Sequence, residues 1–62
     1  MTLDQEVHCL LTARRFGGHF ISKLAEAGLA ADATNRMIIF AGFPQLRDEF
    51  GPDTNFYSET LA

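Results

Sequence analysis

A single cysteine, Cys9, stands in the 62-residue sequence, so no disulfide can form within the chain. The two histidines, His8 and His19, cannot complete a four-ligand zinc site with it unless carboxylates join them. Cations are scarce as well. Five Lys or Arg face eight Asp or Glu, a formal charge of −3, which leaves little to neutralise a phosphate backbone. Proteins rather than nucleic acid are therefore the expected partners. The longest uninterrupted apolar run, Met37–Ala41, falls far below the roughly 20 residues that a bilayer span requires. The N-terminal stretch also lacks the basic start and apolar core of a signal peptide. These absences predict no membrane association and a cytoplasmic setting.

Catalytic and cofactor motifs are missing too. Ser22 has no Gly-x-Ser-x-Gly context, and Gly17-Gly18 belongs to neither dinucleotide-binding nor P-loop spacing. His8 and Cys9 are adjacent, so on a helix they point in different directions and form no nucleophile pair. The reading is that Cys9 packs as a small hydrophobe and His8 is solvated. His8 and His19 would face the same way on one continuous helix but lie about 16 Å apart along it, too far for one metal ion. No cofactor, no metal and no enzymatic activity are expected.

What is present is a globular composition: 47% hydrophobic residues, including six phenylalanines. One domain spans residues 1–62. A chain this short buries only about 60% of its unfolded surface. Lacking disulfides, it must find stability in close helix packing or a partner subunit, so a homodimer is expected.

The pattern predicts an all-α domain in which one long N-terminal helix is clasped by two short helices and a C-terminal tail. Thr2 and Gln5 form a capping-box pair, with Asp4 and Glu6 in the first turn. Leu3, Val7, Leu10 and Leu11 begin an apolar stripe whose phase continues through Gly17, Gly18, Ile21, Leu24, Ala25 and Gly28. That continuity favours a single helix over about 3–28, the glycines marking close approach of another backbone or ring. A break at Gly17-Gly18 is the alternative. Asp32 caps a second helix over about 33–42. Pro44 bends the chain after Phe43 and starts a third over about 44–50, which Gly51-Pro52 closes. The tail, 51–62, reads as turn-like, with Phe56 and Tyr57 folding back onto the helices. Phe20, Phe40, Phe43 and Phe50 are the expected core.

Two surfaces are candidates for partner binding. Arg15, His19 and Lys23 fall at successive i+4 steps and form the basic strip of a continuous first helix. A solvated helix face is the favoured reading of them; a docking edge for an acidic protein surface or nucleic acid is the sharper one. The other candidate is the C-terminal edge. There Asp48, Glu49, Asp53 and Glu59 outnumber Arg47, and Phe56 and Tyr57 stand near the carboxylates, an arrangement suited to a basic groove on a partner.

Arg15-Phe16-Gly17-Gly18-His19-Phe20, Leu24-Ala25-Glu26-Ala27, Ala30-Ala31-Asp32, Phe43-Pro44 and Phe50-Gly51-Pro52 through Phe56-Tyr57 together resemble small uncharacterised helical proteins of tailed phages and prophages. The resemblance covers most of the chain and brings no catalytic position with it. It implies an accessory protein of a bacterial host cytoplasm that binds and modulates a host protein. The rival expectations are a dimeric nucleic-acid-binding regulator using the basic strip, and a structural component of a phage assembly.

Overall fold

A computed structural model describes residues 1–61, and these form five helices with no strand among them. They are α1 (Leu3–Phe16), α2 (His19–Ala30), α3 (Ala33–Gly42), α4 (Gln45–Phe50) and α5 (Asn55–Leu61). The radius of gyration, 10.1 Å, is close to the roughly 11 Å of a folded domain of this length.

Local chemistry accounts for most helix boundaries. Thr2 opens α1 with a complete capping box: its hydroxyl accepts from the Gln5 N–H at 3.2 Å, and the Gln5 side chain accepts from the Thr2 N–H at 2.8 Å. Asp4 and Glu6 lie at the positive end of the α1 dipole and Arg14 and Arg15 at the negative end. Asp32 caps α3 by accepting from the Asn35 N–H at 2.8 Å. Phe43 leaves helical geometry before Pro44, and Gly51 ends α4 in extended backbone.

The first helix is not continuous. Gly17 and Gly18 both take extended backbone, at φ −73°, ψ 160° and φ −66°, ψ 179°, and the chain reverses so that α2 packs along α1. Leu10 and Gly28 of the apolar stripe meet between the two helices, while Leu3 at its start is exposed. A side chain at Gly17 would meet the Ala13 carbonyl oxygen at 2.5 Å and Ile21 Cγ2 at 2.6 Å, so this turn needs its glycine for space rather than for an unusual φ. At the other end of α2, Gly28 does not terminate the helix. It lies within the last turn, where the Leu10 side chain packs on its bare backbone.

Each of these C-termini is completed by the helix that follows. Ser22 of α2 donates to the Arg14 carbonyl at 2.9 Å, and Arg36 of α3 donates to the carbonyls of Gly28 at 3.0 Å and Ala31 at 3.1 Å. These bonds add partners to carbonyls at the helix ends, where the Gly28 carbonyl also accepts from the Ala31 N–H at 3.3 Å. Arg36 also puts a positive charge at the negative end of the α2 dipole.

The core is small. Cys9, Leu10 and Ala13 of α1 meet Ala25 of α2 and Leu46 and Phe50 of α4. Full burial of Leu10 and of Leu46 stabilises by about 1.5–3 kcal/mol each. Thr12, buried beside them, donates to the His8 carbonyl at 2.8 Å, and no buried side-chain nitrogen or oxygen among the described residues lacks a hydrogen bond. Of the four phenylalanines expected in the core, Phe50 is buried and Phe40 and Phe43 are half-buried. Phe20 is 60% exposed. The break at Gly17-Gly18 moves it to the first turn of α2, where the Phe43 ring covers it from 5.7 Å.

The tail holds a fifth helix. The Thr54 hydroxyl accepts from the Tyr57 N–H at 3.3 Å and so caps α5. Both aromatics fold back: Phe56 stacks on Phe16 at 4.7 Å and lies 5.9 Å from Phe50, while the Tyr57 ring sits 4.0 Å from that of His8. His8 is therefore half-buried rather than solvated, and its Nε2–H donates to the Tyr57 carbonyl at 3.0 Å.

Candidate interaction surface

Helix α3 differs from the others in what it leaves uncovered. It packs chiefly on α2 and contributes no fully buried residue. Its inner side, Arg36, Ile39, Phe40 and Phe43, is half-buried, while Met37 and Ile38 on the outside are 69% and 63% exposed. Residues 37–41 are thus apolar on all sides of a helix that has a neighbour on one. A helix hydrophobic all round is normally one that is covered all round. Beside Ile38, Thr34 and Gly42 occupy the i−4 and i+4 positions. Both are exposed, and a side chain added at Gly42 would meet nothing within 4 Å. A second helix can therefore approach this face closely.

The flank of α3 that carries Met37 and Ala41 turns into an open groove of about 1010 Å³. Its apolar lining comes from four parts of the fold: Met1 before α1, Met37 and Phe40 on α3, Pro44 at the start of α4, and Pro52 after it. Three carboxylates line it as well, Glu6, Asp48 and Asp53, with Arg47 the one cationic side chain, a net −2 from its side chains. Glu6 comes from the first turn of α1, so the fold gathers into one place acids that the sequence separates by more than half its length.

The basic residues lie elsewhere. The strip of Arg15, His19 and Lys23 requires an unbroken helix, and the extended backbone at Gly17-Gly18 divides it. Arg15 ends α1 with its guanidinium 4.9 Å from the centre of the Phe16 ring. His19 begins α2, and Lys23, one turn later, pairs with Glu26 at 3.3 Å on the exposed surface. Only His19 and Lys23 keep the i+4 relation. At the C-terminal edge, Phe56 and Tyr57 pack on α1 and are partly withdrawn from the surface, while Asp48 and Asp53 remain at the groove.

Cys9 is buried, its S–H donating to the Leu46 carbonyl at 3.3 Å. Burial, with a smaller push from the Glu6 carboxylate, raises the thiol from its ordinary 9.0 to about 11. Such a thiol is a poor nucleophile at neutral pH. Among the described residues, no three His, Cys, Asp or Glu side chains converge as metal ligands, and no helix is long and apolar enough to cross a membrane. No protein-family model matches the chain, and comparisons with curated proteins and with solved structures give no match.

The groove and the small-residue face around Ile38 escaped sequence reasoning. The signal for the second was present in Thr34, Ile38 and Gly42 at spacings of four. The groove had no such signal, because its walls come from segments that only the fold brings together.

Proposed function

We propose that this chain is a non-enzymatic protein-binding module that works as a homodimer, with α3 as the contact helix. The carrying observation is the exposure of Ile38 in the apolar run 37–41 of α3, in a fold with six buried apolar side chains among the described residues. In the dimer two α3 helices pack through Thr34, Ile38 and Gly42, and the small residues at either end let the helix axes come close. An isologous contact of this kind uses the same patch on both copies. In keeping with the resemblance to small phage and prophage proteins, the dimer acts as an accessory protein in a bacterial cytoplasm and modulates a host protein by binding it.

The test is molar mass by light scattering across a dilution series, for the native chain and for Ile38→Glu. The native chain should give twice its 6.9 kDa at high concentration and dissociate on dilution. The variant, with a charge facing a charge across the two-fold axis, should remain a monomer with unchanged helix content. A native chain that is monomeric at every concentration would remove the dimer from the proposal.

A further inference from the structure

The groove beside α3 has a composition that selects its occupant. Its floor offers Met1, Met37 and Phe40, and two of these are unbranched, polarisable side chains that adapt to differently shaped apolar surfaces. Proline at 44 and 52 gives the walls rigid backbone. Around this floor Glu6, Asp48 and Asp53 face a single Arg47. The chain's other cations are committed or distant: Arg36 is held by the α2 carbonyls, Lys23 by Glu26, and Arg14 and Arg15 lie at the far end of α1 from Glu6. A phosphate backbone or an acidic peptide would be repelled there. An apolar ligand of small size would leave much of so open a cleft wet. An amphipathic helix with large apolar side chains on one face and Lys or Arg on its flanks satisfies the floor and the rim together.

We propose that this groove receives a basic amphipathic helix of the partner protein, in a helix-in-groove mode with Met37 and Phe40 as floor and Glu6, Asp48 and Asp53 as the charged rim. The inference rests on the protein-binding reading and names the chemistry of the partner. Ile38 does not line the groove, so separate variants test the two contacts. The occupant's apolar residues at i, i+3 or i+4, and i+7 lie along the floor, and its cations reach carboxylates on both walls. Since the rim is solvent-exposed, its charges contribute mostly to rate and selectivity and weaken with salt, while the floor supplies the affinity that persists.

The test uses a synthetic Leu/Lys peptide of helical periodicity, about four turns long, titrated into the isotope-labelled full chain and followed by amide chemical shifts and circular dichroism. The expected result is helix induction in the peptide, with shifts concentrated at residues 5–6, 37–41, 47–48 and 52–54. Asp48→Lys with Asp53→Lys should weaken binding about tenfold or more, the scale of two rim charges reversed. Glu26→Lys on α2, set against Asp48→Lys alone for an equal change of charge, should leave binding within about twofold. Met37→Glu should abolish it while Ile38→Glu retains it. A matched Leu/Glu peptide should not bind. Equal losses from the rim and α2 reversals would show only the general attraction of an acidic protein for a cation and overturn the inference. Shifts confined to other surfaces, or peptide binding unaffected by Met37→Glu, would overturn it as well. Loss of the amide signals of residues 5–6, 47–48 and 52–54, which lie outside the α3 contact, by self-association at high concentration without peptide would assign the groove to a second copy and likewise reject the proposal. A chain that is monomeric but binds the peptide as described loses the dimer and keeps the groove; a dimer that ignores the peptide does the reverse.

Discussion

The Leu10 side chain rests on the backbone of Gly28, its two methyl carbons 3.0 and 3.1 Å from where a Cβ of residue 28 would stand. This contact sets the spacing of α1 and α2, and it places a glycine inside a helix where propensity alone would favour alanine by about 1 kcal/mol. Gly28→Val should therefore destabilise the chain by roughly 1–3 kcal/mol through overpacking, while Gly28→Ala, which gains propensity and asks Leu10 to yield a few tenths of an ångström, should be close to neutral. Urea unfolding followed by circular dichroism measures both. A Val variant as stable as the native chain would mean that the two helices are not held at this distance.

The two glycines of the α1–α2 turn should respond in opposite directions. Gly17→Ala drives a methyl into the Ala13 carbonyl and Ile21, so it should cost about 1–3 kcal/mol. At Gly18 there is open space, extended backbone, and no side-chain cap for α2. Gly18→Ser supplies the missing acceptor and should stabilise by a few tenths of a kcal/mol, about 0.3. Equal effects at the two positions would contradict the turn.

The turn also shows why one part of the fold was readable from sequence and another was not. Thr2, Asp32, Pro44 and Gly51 act through neighbours within three or four residues, and the helix ends they mark are found where their chemistry puts them. The break at Gly17-Gly18 has its glycine pair as a sign, but the apolar phase runs on through the turn and favours the continuous helix. The i+4 register of Arg15 with His19 rested on the same continuity. Phe20 was misplaced for the same reason, since its expected burial depended on the long helix. Helix α5 has Thr54 as cap and one i+4 pair, Tyr57 and Leu61, too short a pattern to mark a helix; Phe56 on Phe16 and Tyr57 on His8 hold it. The acidic groove draws on α1, α3, α4 and the turn beyond, a combination that periodicity along a chain does not encode.

Arg36 joins α3 to the end of α2 by two hydrogen bonds to carbonyls. Arg36→Met keeps most of the aliphatic packing and removes both, and should cost about 1–3 kcal/mol. Hydrogen exchange should accelerate first in α3 and in the last turn of α2. Uniform acceleration across all five helices would assign Arg36 a general effect on stability instead of this local one.

Cys9 predicts both reactivity and an alkaline limit. Below pH 9 the thiol is protonated in the folded and unfolded states alike, and its burial is tolerated in full. Between 9.0 and about 11 the unfolded chain releases the proton while the folded chain retains it, so stability falls as pH rises through that window and levels off above it. Cys9→Ala should remove this slope. At pH 7.5 a thiol reagent should label the native chain slowly and the urea-unfolded chain at once; equal rates would place Cys9 at the surface.

Amide hydrogen exchange of α3 as a function of protein concentration tests the central claim most directly. If α3 is the contact helix of a homodimer, the amides of residues 36–42 gain protection as concentration rises, those at the centre of α1 do not change, and Ile38→Glu abolishes the gain. Protection of α3 that is the same at every concentration in the native chain would contradict the account.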